Sequence, residues 1–447
     1  MNKSFSIYEI ADLNRSSLTY RDNYEYINYL DTSNLTRNKI DSIQLLDSNF
    51  PSRAKRKVKA DTILYSTVRP NQEHFGIVEN TNINNLIVST GFTTIDVKSN
   101  EINPKYLYYK LTNPSVTNYL QTIAENSVSA YPSIKPEEIG NLRFKFPAVE
   151  IQQKIAAVLS ALDDKIELNN QINAELEAMA KTLYDYWFVQ FDFPNAKGKP
   201  YKSSGGKMVY DEVLKREIPE GWEVTFFNDW INKTKTGDWG KEELEGNYTE
   251  RVHCVRGADI TGLNGKGDVK APVRFILKNN LSKALQPNDF IVEISGGSPV
   301  QSTGRIALLT SESFQRFDSN VICSNFCKAV SLKDENYVFN FKNEWQRLYD
   351  AGVFFGYEGK TSGIKNFLFD SFMDSYHIVK PPKELAQKYH HFATSLEKKK
   401  QLNLLQNQEL AQVRDWLLPM LMNGQVTVGA AEEMVIVAEE KVSYQKS

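Results

Sequence analysis

Cysteine is scarce: three residues in 447, too few and too odd in number for a disulfide framework, which points to a reducing compartment. Cys323 and Cys327 lie four apart in "CSNFC", yet no second Cys or His pair stands near them in sequence, so they read as small buried hydrophobes. His390 and His391 are adjacent and on a helix would point about 100° apart, which makes them poor joint ligands. No apolar run approaches the roughly 18 residues of a membrane span, and "MNKSFSIYEIADLNRSS" lacks the apolar core of a signal peptide. A cytoplasmic location is expected. Net charge is also small, at −2, against 24% charged residues, which argues mildly against a lone nucleic-acid binder and is more comfortable if a basic partner shares the work.

Motifs for chemistry are missing too. Gly359-Lys360-Thr361 ends like a phosphate-binding loop, but the glycine required five positions earlier is Phe354. "ISGGSP", from Ile294 to Pro299, has neither dinucleotide spacing nor a helix pattern after it. An adenine methyltransferase would carry an Asn/Asp-Pro-Pro-aromatic turn, and "KPPK" at Lys380 to Lys383 lacks both flanking residues. The "DVK" triplets at Asp96 and Asp268 match half of a nuclease metal site, as strand ends do by chance. No nucleophile is paired with a base. The chain is expected to catalyse nothing and to hold no metal or cofactor.

What is present is a repeat. "YEIADLN" (8 to 14) corresponds to "WEVTFFN" (222 to 228), "ADTILYSTV" (60 to 68) to "PNDFIVEIS" (287 to 295), each a polar turn with Asp61 or Asp289 before a strand-like run, and "VSTGFTTIDVKS" (88 to 99) to "ICSNFCKAVSLKD" (322 to 334). Each half then reaches a proline and an acidic residue that open a helix of about 40 residues. A gapless offset of 234 relates Leu162 to Leu396, Asn169 to Asn403, Asn173 to Asn407 and Leu176 to Leu410. The expected organisation is a duplicated unit: a globular domain over 1–148, a long helix over 149–191, a linker over 192–218, a second domain over 219–380, a second helix over 381–424 and a tail over 425–447. The linker, rich in Lys, Gly, Ser and Pro, reads as exposed; the tail reads as flexible or as a short docked strand or helix.

Steps of four and three residues trace an apolar seam through Leu162, Ile166, Asn169, Asn173, Leu176 and Leu183, and through Leu396, Asn403, Asn407, Leu410 and Leu417 in the second helix. Lys400 and Arg414 also fall on that seam, so either it drifts there or both side chains snorkel at its edge. Buried asparagines fix register in coiled coils, and two at equal steps near the middle of each helix suit an antiparallel pair centred on its own midpoint. At about 1.5 Å per residue, 40 residues span roughly 60 Å, carrying the two domains to opposite ends of a rod. The fold class is therefore α+β, two mixed domains related by internal duplication and separated by two long antiparallel helices forming a coiled coil.

Binding is what remains. "SRAKRKVKAD" packs Arg53, Lys55, Arg56, Lys57 and Lys59 into seven positions, a field suited to phosphates. Gly-rich polar loops of the second half carry Trp239 and Lys241, Arg256, Arg274, and Lys360 with Lys365. A structural coiled-coil scaffold with two protein-binding heads is the alternative reading.

"FPAVEIQQKIAAVLSALDDKIELNNQINAELEAMAKTLYDYWFVQFDFP", "IPEGWEV" and "DWLLPMLMNGQV" resemble the helical regions and domain starts of the specificity subunits of type I restriction-modification enzymes, in order along the whole chain. "PKELAQKY" departs from the Gln-Gln-Lys-Ile usual at the start of the second helix. The resemblance implies a subunit without catalytic residues. Its two target-recognition domains each read half of a bipartite double-stranded DNA sequence, and its helices act as a ruler for the spacer. It implies two methyltransferase subunits as partners, with S-adenosylmethionine, and restriction subunits with ATP and Mg that can join. Base-reading residues do not transfer by resemblance. On physical grounds the DNA contacts are expected among the basic run, Arg69, Trp239, Lys241, Arg256, Arg274, Arg305, Lys360 and Lys365, with Ser298, Gln301 and Ser302 placed to touch bases.

Overall fold

The computed structural model describes residues 3–79, 84–127, 131–298, 300–361 and 363–444, apart from the side chains of 360, 361 and 438–444. Its contacts divide the chain into two compact units, one of residues 1–164 with 410–444 and one of residues 165–409.

In the first unit an antiparallel sheet runs in the order Ala11–Leu13, Phe92–Val97, Ile63–Ser66, Phe75–Ile77. A second sheet runs Gln44–Leu46, Ile27–Leu30, Leu86–Ser89, Ala54–Lys57, with Leu86–Ser89 parallel to Ile27–Leu30. Lys3–Ser6 closes the domain against Arg143–Phe146. Ile63–Ser66 is buried at every position, as a central strand covered on both faces should be.

The second unit has Ile231–Thr236, Cys327–Leu332, Phe290–Glu293 and Ile306–Leu308 in the same order as the first sheet above. Val273–Leu277, Tyr248–Val255 and Asn320–Cys323 follow the order of the other, again with the third strand parallel to the second. Glu223–Phe226 pairs with His377–Lys380. Even a polar pair between neighbouring strands recurs with its chemistry reversed: Thr62 donates to Asp96 at 2.6 Å, whereas Asp289 accepts from Ser331. Register sets Asp61 opposite Asn288 rather than Asp289, since Asp61 N binds Val78 O at 2.8 Å and Asn288 N binds Leu309 O at 2.7 Å. Both take the left-handed conformation (φ 65° and 72°) that Asp and Asn tolerate. The core of this domain gathers Phe227, Phe341, Phe354 and Phe372 around Trp345, whose indole N–H is satisfied by Gly304 O at 2.7 Å.

The long helices are Val149–Tyr184 and Lys383–Met422. Every residue assigned to their seam is buried or half-buried. In the second unit the segments run antiparallel, as descending contacts show: Asn169 Nδ2 donates to Asn407 Oδ1 at 2.8 Å, Asn403 Nδ2 to Asn173 Oδ1 at 2.9 Å, and Lys400 Nζ meets Glu177 Oε1 at 2.5 Å. The offset of 234 exchanges the two asparagine pairs, so this stretch is locally twofold about their midpoint. The side chains around the pairs break the symmetry. Asn407 also donates to Asn170 at 2.9 Å, but the position equivalent to Asn170 is Leu404, and Asn173 Nδ2 is left buried without a partner.

Lys400 does not snorkel. Its side chain is only 3% exposed and is held by Glu177 and Glu397, while Lys342 reaches Glu397 Oε2 at 2.8 Å. Arg414, in the first unit, is paired with Asp163 Oδ1 at 2.7 Å and with Asp415. Ion pairing, not seam drift, accommodates both cations.

Residues 192–218 are largely exposed, as their composition suggests, but are folded on themselves. Phe191 is buried, Phe193 stacks between Tyr201 and Trp222, Asp192 binds Ser203, and Met208–Asp211 forms a hairpin with Arg216–Pro219. The aromatics near the start of the segment give it local structure. The tail forms the helix Val428–Tyr444, anchored by buried Ala431.

The asparagines yield a sharp expectation. Asn173→Leu with Asn403→Leu removes one buried pair and the unpartnered amide together, and should raise the thermal midpoint, by about 2–4 °C for each kcal/mol gained. Asn169→Leu with Asn407→Leu instead strands Asn170 and the buried Gln406, whose Oε1 accepts from Asn169 at 3.0 Å, and should lower it. Calorimetry on the two double variants distinguishes them by sign.

Candidate nucleic-acid interface

The basic run lies on and beside an edge strand, Ala54–Lys57. Arg53, Lys55 and Lys59 are exposed. Arg56 turns inward to Ser17 Oγ at 3.1 Å, with burial pushing its pKa down, and Lys57 binds Asp22, whose carboxyl it holds below the usual range. Three of the five cations therefore face solvent.

Arg69 sits on the loop between the central strand Ile63–Ser66 and Phe75–Ile77. That loop is fastened to a returning segment by Arg69 N to Pro132 O at 2.9 Å and Ile134 N to Thr67 O at 2.9 Å. Arg69 is exposed, and its guanidinium lies 5.1 Å from the centroid of Tyr131, itself 60% exposed. The second domain repeats the construction. Its loop from Ile294 to Arg305 joins Phe290–Glu293 to Ile306–Leu308, and Ser295–Gly296 pairs with Ile364–Phe367 of a returning hairpin. Each domain thus presents a loop sewn to a distant segment, a rigid mount for groups that reach a ligand.

The expected contacts in the second domain divide sharply. Gln301 and Trp239 are exposed, Ser298 is half-exposed with its hydroxyl accepting from Gln301 N at 3.2 Å, and Lys241 is exposed beside Glu245. The others are committed internally. Arg274 is buried under Trp239, 4.2 Å from the ring centroid, and paired with Glu242 at 2.7 Å. Arg305 forks onto Glu293 at 2.6 and 2.8 Å, and this pairing raises its pKa. Arg256 forks onto the buried Asp259, and Lys365 is held by the buried Glu358 at 3.1 Å. Ser302 is buried. These five residues hold the loops in shape instead of projecting from them. The side chain of Lys360 lies outside the described residues.

The sequence reading missed two exposed aromatics, Tyr131 and Phe355; Phe355 lies under Lys365 at 5.1 Å. Each stands on or beside a returning segment far along the chain from its loop, so no local pattern announces it. The three cysteines are buried thiols, and burial pushes Cys254 and Cys323 up to about 12.

Residues 2–178, the first domain and most of the first long helix, match the family model described as the type I restriction modification DNA specificity domain. That segment resembles a DNA specificity domain. Among similar proteins, the type I restriction enzyme HindI specificity subunit of Haemophilus influenzae is 25% identical over 94% of this chain and 99% of its own length. The MjaIX specificity subunit of Methanocaldococcus jannaschii is 27% identical over 77% of this chain and 74% of its own. The solved S subunit of the type I restriction-modification system of M. genitalium shares the fold, with a TM-score of 0.50 at 13% identity over 94% of this chain and 96% of that one. The HindI and MjaIX relatives are both named as type I restriction enzyme specificity subunits. Among the described residues no helix is long and apolar enough to cross a membrane.

Proposed function

We propose that this chain is a specificity subunit of a type I restriction-modification system and reads a bipartite DNA target, one half-site per domain, with the paired long helices setting the spacer between them. The observation that carries the reading is the pair of asparagine contacts exchanged by the 234-residue offset, because a twofold helix pair within one duplicated chain is what two equivalent heads at a fixed separation require. The recurring strand order and the matching loop mounts support the equivalence of the heads. Arg53, Lys55 and Lys59 supply phosphate contacts to the first half-site. Arg69 with Tyr131, and Ser298 with Gln301, face bases, while Trp239 and Lys241 flank the second half-site.

The same subunit docks methyltransferase subunits in the cytoplasm. Exposed apolar side chains support this: Ile151, Leu168 and Met179 on the first long helix and Trp416 on the second stand out of otherwise polar faces. Two such partners would bring S-adenosylmethionine. Two restriction subunits, with ATP and Mg, would complete a nuclease.

Duplex binding at several salt concentrations, measured with the methyltransferase partner present, tests the reading. Lys55→Ala should weaken binding to all sequences alike and reduce the slope of log affinity against log salt by about 0.9. Arg69→Ala should instead relax base preference in one half-site, by about 5- to 100-fold. A scaffold with protein-binding heads would give affinities independent of salt and of DNA sequence.

A further inference from the structure

In the first domain the loop that carries Arg69 contains a short 3-10 turn, Pro70–Gln72, and both residues that flank it are left-handed: Arg69 at φ 47° and Glu73 at φ 56°. Register identifies the counterpart of Glu73. Ser66 N binds His74 O at 2.9 Å in one domain and Glu293 N binds Arg305 O at 2.9 Å in the other, which aligns Glu73 with Gly304. Gly304 has φ 97°, and a Cβ there would lie 2.7 Å from Phe354 Cδ2. The second domain thus meets a left-handed requirement with the residue made for it. The first meets it with glutamate, whose Cβ disfavours that conformation.

The carboxylate accounts for that choice. Glu73 accepts from Arg37 Nε at 2.6 Å and from Arg37 Nη2 at 3.0 Å, and its carbonyl accepts from Arg37 N at 3.0 Å. Arg37 is itself left-handed, at φ 47°. Its remaining nitrogen, Nη1, lies 3.7 Å from Asp415 Oδ2 on the second long helix, a residue of the same unit. One planar guanidinium therefore joins the base of the Arg69 loop to the helix, in the two-pronged geometry that fixes orientation as well as distance.

We infer that Glu73 is a positioning residue for the first half-site: through Arg37 and Asp415 it locks the Arg69 loop to the second long helix, so that Arg69 meets its base in one register. The inference rests on the proposed role of Arg69 at DNA. It makes the two heads unequal, since Gly304 offers no side chain for such a clamp.

The test selects bound duplexes from a pool of randomised sequence, using the full chain with its methyltransferase partner, and records thermal midpoints beside base preferences. Glu73→Gly relieves the strained backbone and removes the clamp. It should keep or raise the midpoint, lower base preference in the first half-site about tenfold, and leave the second half-site untouched. Glu73→Gln, which keeps the backbone and part of the contact, should fall between. Adding Arg37→Met to Glu73→Gly should change nothing further, as a shared contact requires. Preferences unchanged in Glu73→Gly but lost in Arg69→Ala would overturn the clamp alone. No loss in either variant would overturn both the clamp and the DNA role of Arg69. Equal loss in both half-sites would make Glu73 a merely structural residue and overturn the clamp.

Discussion

Glu397→Gln should destabilise the second unit by about 3–5 kcal/mol, the cost of leaving buried charge uncompensated, and lower its thermal midpoint by about 10 °C. Glu397 lies on the second long helix, is 8% exposed, and is met by Lys342 at 2.8 Å, by Gln401 at 2.8 Å and by Lys400 at 3.9 Å. Lys342 belongs to a helix of the globular domain, and Lys400 continues to Glu177 on the first long helix. One carboxylate therefore ties domain and both helices together. Its amide would leave two ammonium groups facing each other, with only Glu177 near.

The pH dependence follows from the same contacts. Burial works to raise the Glu397 pKa, but the charges of Lys342 and Lys400 prevail and hold it well below its ordinary 4.5. A depressed carboxyl contributes stability that is fully present above its unfolded pKa and is lost as pH falls through the folded value. Lys400 is shifted upward: burial opposes its charge, and Glu397 and Glu177 outweigh burial. Its contribution is present below its ordinary 10.5 and is lost as pH rises beyond. Melting of the wild type should therefore be insensitive to this cluster between about pH 5 and 10 and should weaken below pH 4.5. The Glu397→Gln variant should lose less on acidification, which a thermal series from pH 3 to 7 would measure.

The offset that pairs asparagines also pairs Glu397 with Asp163. In the first unit Asp163 accepts from Tyr109 Oη at 2.6 Å and pairs with Arg414 at 2.7 Å. Burial raises the pKa of that tyrosine, and the carboxylate adds to the shift. Each long helix thus carries an acid at the same position, held by a helix of its globular domain and by a cation. The cation that closes each set was the seam residue that apolar patterning could not place.

The signal of the long helices is local: a proline, an acid and then four-and-three spacing; the first, expected to reach residue 191, is α-helical to Tyr184, and the second, expected to reach 424, ends at Met422. Charge partnership is another matter. Arg305, Arg274 and Lys365 look like free cations on glycine-rich loops, and only folding brings Glu293, Glu242 and Glu358 against them. Lys400 finds its acid 223 residues away. Arg53, Lys55 and Lys59 keep their solvent exposure, whereas Ser17 and Asp22 engage Arg56 and Lys57. The Gln-Gln-Lys-Ile departure acquires a physical meaning as well. Gln152 is fully buried and bridges Glu101 O, Pro147 O and Asn103 N, whereas its counterpart, Ala386, is apolar and packs in the core of the second domain.

The claim that two heads are held apart by a helical ruler is tested most directly by shortening it. Deleting one heptad from each long helix at facing positions removes about 10 Å of rise, or about three base pairs. Methylated adenines mapped across the genome of a host carrying the shortened subunit should show both half-sites unchanged and the spacer between them shorter by about three base pairs. An unchanged spacer, or an altered half-site, would contradict the account.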